Sequence, residues 1–187
     1  ASESANPAGG AARGGPLSLV MPIYRITREL IDEVSSGFAA LHALNLSHNL
    51  ISHVENLESL PGLRKLDLSH NRLGLGSIEG VRTLAALEAL VLSANQIADL
   101  SALRGALLPR LSSLSLSDNP LHAMESLLPL GLLPSLTSLS LAGCPLAAAP
   151  GYRAAVAAQL PRLRVLDGTP LERRSHAAVH PPAAAAL

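Results

Sequence analysis

Aromatic residues are nearly absent: the chain has no Trp, one Phe and two Tyr. Proteins that read single-stranded nucleic acid by stacking bases on aromatic side chains fit that composition poorly. A single Cys excludes a disulfide scaffold. Charge is sparse and balanced. Charged residues make up 15% of the chain, with Lys+Arg and Asp+Glu at 14 each. There is therefore no bulk electrostatic pull toward nucleic acid or an anionic membrane, and coiled-coil or highly charged compositions do not fit. Apolar runs fall short of the roughly 18 residues a membrane-spanning helix needs. The segment Pro16–Ile23 (PLSLVMPI) has the character of a signal-peptide core, with Arg13 ahead of it. Tyr24-Arg25-Ile26 follows where a small-residue cleavage site belongs, so a reducing intracellular compartment is the expectation.

Leucine and alanine are abundant, at 40 and 30 of 187 residues. A hydrophobic share of 48% is enough to bury a core and excludes disorder throughout. The length suits one domain.

The leucines repeat. LHALNLSHNLI begins at Leu41, LRKLDLSHNRL at Leu63, LEALVLSANQI at Leu87, LSSLSLSDNPL at Leu111 and LTSLSLAGCPL at Leu136. A truncated LRVLDG begins at Leu163. The starts are 22, 24, 24, 25 and 27 residues apart, within the range of leucine-rich repeats. Within each unit the pattern L-x-x-L-x-L alternates with the period of two that a strand requires. Leu66 and Leu68 then face inward, while Lys65, Asp67 and Ser69 face out. One unit cannot bury its own apolar face, so the units stack into leucine columns. The predicted fold is an α/β solenoid with a parallel concave sheet of about six strands.

The ninth place of each unit holds Asn49, Asn71, Asn95, Asn119 and then Cys144. There the chain turns inward and leaves backbone groups without partners. A side-chain amide both donates and accepts, so it can fill that turn. Cys144 reads as a structural substitute, because no His or cation stands beside it to activate a thiol. Between strands, short segments rich in Leu and Pro suit 3₁₀ turns on the convex side. The longer linkers of the later units have room for an α-helical turn.

Both ends carry cap patterns. Ile26–Val34 reads as a short helix with Thr27 as N-cap, Ile26 and Ile31 as a hydrophobic staple, and Leu30, Ile31 and Val34 covering the first unit. At the other end a helix over about Tyr152–Leu160 places Val156 and Leu160 on one face, and Leu163–Leu166 closes the sheet. The resulting division is residues 1–22 as a disordered or extended segment, 23–168 as the repeat domain with its caps, and 169–187 as a tail.

These units resemble the short class of leucine-rich repeats. The terminal PGYRAAVAAQLPRLRVLDG is similar to that family's C-terminal cap. Together with ITRELI at the start, it resembles three groups: ciliary axonemal subunits of outer-arm dynein and the nexin–dynein regulatory complex, a spliceosomal branch-site protein, and the nuclear regulator of protein phosphatase 1. The last has about twice as many repeats. The resemblance implies a protein-binding subunit, with an axonemal complex as the first expectation and a nuclear ribonucleoprotein scaffold or phosphatase regulator as the alternative. Implied partners are axonemal dynein, tubulin or coiled-coil scaffold subunits, without direct nucleic-acid or membrane contact. The implied location is the cytoskeleton of a cilium or flagellum, or else the nucleus.

No dinucleotide, P-loop, zincin or nucleophile-elbow motif is present, so a non-enzymatic role without cofactors is expected. His48 and His70 share a place in adjacent units, about 5 Å apart across neighbouring strands. A metal site needs three or four ligands, and Ala94 and Asp118 come next in that row, so a plain surface pair is expected. Candidate partner-binding residues on the concave face are His42, Asn45, His48, Arg64, Lys65, Asp67, His70, Glu88 and Val91. Arg64, Asp67 and His70 stand foremost.

Overall fold

The computed structural model describes residues 22–36 and 41–172. The expectations for residues 1–21 and 173–187 fall outside them.

Each L-x-x-L-x-L unit contributes one short strand. These are β1 (Ala43–Asn45), β2 (Lys65–Asp67), β3 (Ala89–Val91), β4 (Ser113–Ser115), β5 (Ser138–Ser140) and β6 (Val165–Leu166). They pair in sequence order as a parallel sheet, with Leu44, Leu66, Leu90, Leu114, Leu139 and Leu166 in register. This column is buried, as are the sixth-place leucines and the row Ile51, Leu73, Ile97, Leu121 and Leu146. Burial of one such side chain is worth roughly 1.5–3 kcal/mol, which sets the register firmly. A one-residue slip would turn every leucine to solvent.

The return segments form 3₁₀ helices at Glu79–Thr83, Ser101–Leu103, Met124–Leu132 and Pro145–Ala148. The longest does not become an α-helix, contrary to what its length allows. Pro129 lies inside it, lacking an N–H and crowding the carbonyl four residues back.

At the N-terminal end, α1 spans Arg28–Ser36. Thr27 Oγ1 accepts the Leu30 N–H at 3.2 Å, and the Ile26/Ile31 staple is buried in the core. Leu30 differs from its expected role. Leu30 and Val34 are both half-buried, but it is Val34, with the buried Ile31, that packs against the core. The Glu29 carboxyl titrates below its ordinary value, because its own backbone N–H and then the Thr27 side chain bond it at the helix start.

At the C-terminal end, α2 spans Tyr152–Gln159, with Val156 and Leu160 buried. The sheet does not stop at residue 168. A seventh strand, β7 (Thr169–Pro170), pairs antiparallel with β6. Asp167 and Gly168 connect the two with φ of 51° and 72°. A two-residue connection with both φ positive is a type I′ turn, for which Asp-Gly is a favoured sequence. The preceding helix clamps this hairpin. The Arg153 guanidinium donates to the carbonyls of Leu166, Thr169 and Pro170. Asp167 accepts the Leu141 N–H at 2.7 Å and the Tyr152 hydroxyl at 3.0 Å.

Burial, and next the Asp167 carboxylate, raise the Tyr152 pKa above the ordinary phenol value. The native chain therefore holds a proton that the unfolded chain releases above about pH 10. Stability from this group is complete below that pH and falls as pH rises through it, by up to about 1.4 kcal/mol per pH unit. In urea melts between pH 9.5 and 11, Tyr152→Phe should show a shallower decline than wild type. Equal slopes would remove Tyr152 from the account.

Candidate functional site: the concave sheet

Outward places of the strands form rows across the concave face. Ala43, Lys65, Ala89, Ser113 and Ser138 are register neighbours, and so are Asn45, Asp67, Val91, Ser115 and Ser140. Between these rows, Ala43, Asn45, Lys65, Asp67, Ala89 and Val91 surround a shallow depression of about 320 Å³ that lies over the strand backbone at Leu44 and Leu66, whose side chains are buried in the core. Six of the nine candidates lie in or beside it: Asn45, Lys65, Asp67 and Val91 line it, and Arg64 and Glu88 adjoin it in sequence.

The candidates differ in what holds them. Arg64 and Glu88 pair at 3.7 Å, both about half exposed. Such a surface pair is worth at most about 1 kcal/mol, so a partner's charge can displace it cheaply. Lys65 is exposed and forms no ion pair among the described residues. Asp67, expected to present its carboxylate to a partner, is turned along its own strand end. Its Oδ1 accepts the Ser69 N–H at 2.9 Å and the Ser69 hydroxyl at 2.6 Å. Asn45 caps Ser47 in the same way, at 2.8 Å. These are Asx turns, formed because a short polar side chain reaches the N–H two residues on. Ser69 itself is buried, with its hydroxyl held against the outward-row Asp67 carboxylate. Seventh-place Ser93 and Ser117 also bond hydroxyls of that outward row.

His42 Nδ1 lies 3.2 Å from the Gly62 carbonyl, on the side where chains enter the strands. His48 and His70 sit on the opposite rim. Their rings stack at 4.2 Å between centroids with planes 9° apart. Among the described residues, no group of three or more His, Cys, Asp or Glu could hold a metal ion. The eighth place bends with positive φ in His48, His70, Ala94 and Asp118. In the next unit Gly143 occupies it, and the Asp118 carboxylate fills the space where a Cβ would stand.

The C-terminal half of the face is smooth. Its hydroxyls bond each other across strands, Ser93 to Ser115 and Ser117 to Ser140, both at 2.7 Å.

Beneath the face, the ninth-place side chains fill the turns. Asn71 Oδ1 accepts the Ile51 N–H, and its amide donates to the carbonyls of Leu46, Leu68 and Ser69. Asn95 and Asn119 repeat this set one and two units on. Cys144 is buried, and its Sγ–H donates to the Leu116 carbonyl at 3.2 Å. Burial raises its thiol pKa, away from the thiolate form that reacts.

The sequence pattern did not single out a second concavity of about 210 Å³ on the flank, lined by Leu130, Leu133, Leu136, Leu160 and Leu163. Exposed Leu107 and Leu132 each precede a Leu-Pro pair that leads into the next strand.

The leucine-rich-repeat family model matches residues 23–180. The chain belongs to that family. Among solved structures it is similar to a chain of the Drosophila melanogaster SNF/U2A′ complex, at 30% identity and a TM-score of 0.68, over 81% of this chain and 87% of that one. It is also similar to a leucine-rich-repeat protein of Leptospira interrogans, at 25% identity and a TM-score of 0.58, over 77% of this chain and 34% of that one. No curated protein matches. The first likeness spans most of both chains. Among the described residues no helix is long and apolar enough to cross a membrane.

Proposed function

We propose that this leucine-rich-repeat chain is a non-enzymatic subunit that takes a partner protein across β1–β4, as a scaffold in a nuclear ribonucleoprotein assembly. One observation carries the concave assignment: the sheet holds a depression with Ala43, Ala89 and Val91 in its lining, beside Lys65, which forms no ion pair among the described residues, and a weakly held Arg64–Glu88 pair. Apolar contact with a few oriented polar groups is what protein interfaces use at their centres. The likeness to a chain of the SNF/U2A′ complex supports the nuclear reading over the axonemal one, although both share the ITRELI start and the LPRLRVLDG cap.

Capture of the tagged chain from native nuclear and ciliary extracts tests both parts. Wild type is expected to recover splicing-particle proteins, and Lys65→Glu to lose them. Recovery of dynein or axonemal scaffold subunits would overturn the nuclear assignment. Equal recovery by both copies would move the interface off the concave face.

A further inference from the structure

The flank where the chain enters β4, β5 and β6 carries side chains that the repeat does not require. Four residues and one residue before the first leucine, the earlier units hold Ser59 and Gly62, then Thr83 and Ala86. At the same two places the later units hold Leu107 and Arg110, Leu132 and Ser135, then Gln159 and Arg162. Leu107 is 78% exposed and Leu132 65%, so neither gains much from the core. Like places lie side by side, because the strands they lead into pair in register. The Ser135 hydroxyl donates to the Pro109 carbonyl at 2.6 Å, so adjacent units also meet on this flank.

Leu132 stands between Gly131 and Leu133, which both line the flank groove. One wall of the groove is the end of the Met124–Leu132 helix and the other is Leu160–Leu163. Gln159 Nε2 donates to the Met124 carbonyl at 3.1 Å and ties the two walls together. Arg162 lines the groove, and no carboxylate does. Although the whole chain is neutral, five arginines outnumber two acids, Asp118 and Glu125, between residues 101 and 166. Asp118 lies on the far rim, its carboxylate against Gly143. Arg110, Arg162 and Arg164 are exposed and form no ion pair among the described residues.

We propose that this flank is a second docking surface, and that its occupant is an acidic amphipathic helix of a partner protein. Apolar side chains of that helix enter the groove and cover Leu107 and Leu132, and its carboxylates meet Arg110 and Arg162. Charge complementarity selects the acidic partner, and the apolar groove selects a peptide over a nucleic acid, whose phosphates would leave the leucines uncovered. The spacing agrees. Arg110 and Arg162 are two strands apart, roughly 10 Å, and carboxylates seven residues apart on a helix are separated by about 10.5 Å. The concave sheet stays free, so one chain holds two proteins at once. The assignment stands independently of the concave one.

Selection of random displayed peptides on the full chain tests this, followed by Kd measurement with each enriched peptide in synthetic form. The expected peptides are acidic, with apolar residues three or four apart. Their affinity should be unchanged by Val91→Arg, and should fall roughly tenfold with Leu132→Ser and roughly tenfold with Arg110→Glu/Arg162→Glu. Replacing the peptide's acids by lysine should restore binding to the Glu variant, which a merely structural role of the arginines would not allow. All three substituted positions are exposed, so urea midpoints should match wild type. Enriched peptides without acidic residues, peptides that depend on Val91 and not on Leu132, or no enrichment would each overturn the proposal. Dimerisation of the free chain that Leu132→Ser abolishes would assign the groove to a second copy and overturn it as well.

Discussion

Asn95→Ala should lower the unfolding free energy by on the order of 4 kcal/mol, a loss shared by the equivalent Asn71 and Asn119 positions. The amide bonds four backbone groups: it accepts from the Leu73 N–H and donates to the carbonyls of Leu68, Leu92 and Ser93. Alanine leaves the Leu73 N–H in a dry interior at about 1–3 kcal/mol, and deprives three carbonyls besides. Because the side chain bridges units, its loss uncouples β2 from β3 and not one turn alone. Asn95→Asp sharpens the test. The shape is kept, but a carboxylate then faces carbonyl oxygens with nothing to donate, so it should cost at least as much as alanine. Asn49→Ala should cost less, since Asn49 makes fewer bonds and is only half-buried. Urea unfolding of the three variants checks the order. A loss below about 1 kcal/mol for Asn95→Ala would mean that water replaces the amide.

Val91→Arg should weaken partner binding by on the order of a hundred-fold while leaving stability nearly unchanged. Val91 lines the concave depression next to Asp67 and Ala89. A long cationic side chain there would fill the space a partner needs and stand near Lys65. Residues at the centre of an interface carry most of its energy, and about 2.7 kcal/mol corresponds to that factor. The change is on a surface place, where substitutions usually move stability by less than about 0.5 kcal/mol. Leu132→Arg, beside the flank groove, is the control. If it abolishes binding and Val91→Arg does not, the flank is the interface.

The strands and their order were legible because burial imposes a strict spacing on leucine, and a solenoid converts that spacing directly into register. What escaped was local chemistry that leaves no periodic trace. Asp67 holds the outward place that the alternation implies, but its position two residues before a turn N–H ties its carboxylate to Ser69. That bond leaves Ser69 buried beneath the carboxylate, which alternation alone does not show. The Asp167-Gly168 hairpin carried a readable turn signal, but it lay where the repeat breaks off. The roles of Tyr152 and Arg153 depended on that hairpin and were hidden with it. Asn56 bends to φ 60° and donates to the Ile26 carbonyl, a single position that no repeat could reveal. The groove beside Leu132 arises from packing between the last linker and the C-terminal cap, which no single segment encodes.

Lys65 is the only lysine of the chain, and it stands at the rim of the depression. Its reactivity toward an amine acylating reagent therefore reports on the concave face alone. Peptide mass spectrometry of the free chain and of the partner-bound chain measures that reactivity at one site. The account predicts that partner binding slows Lys65 acylation several-fold and that prior acylation weakens binding. An unchanged rate in the bound state, with binding intact after acylation, would contradict the concave face as the interface.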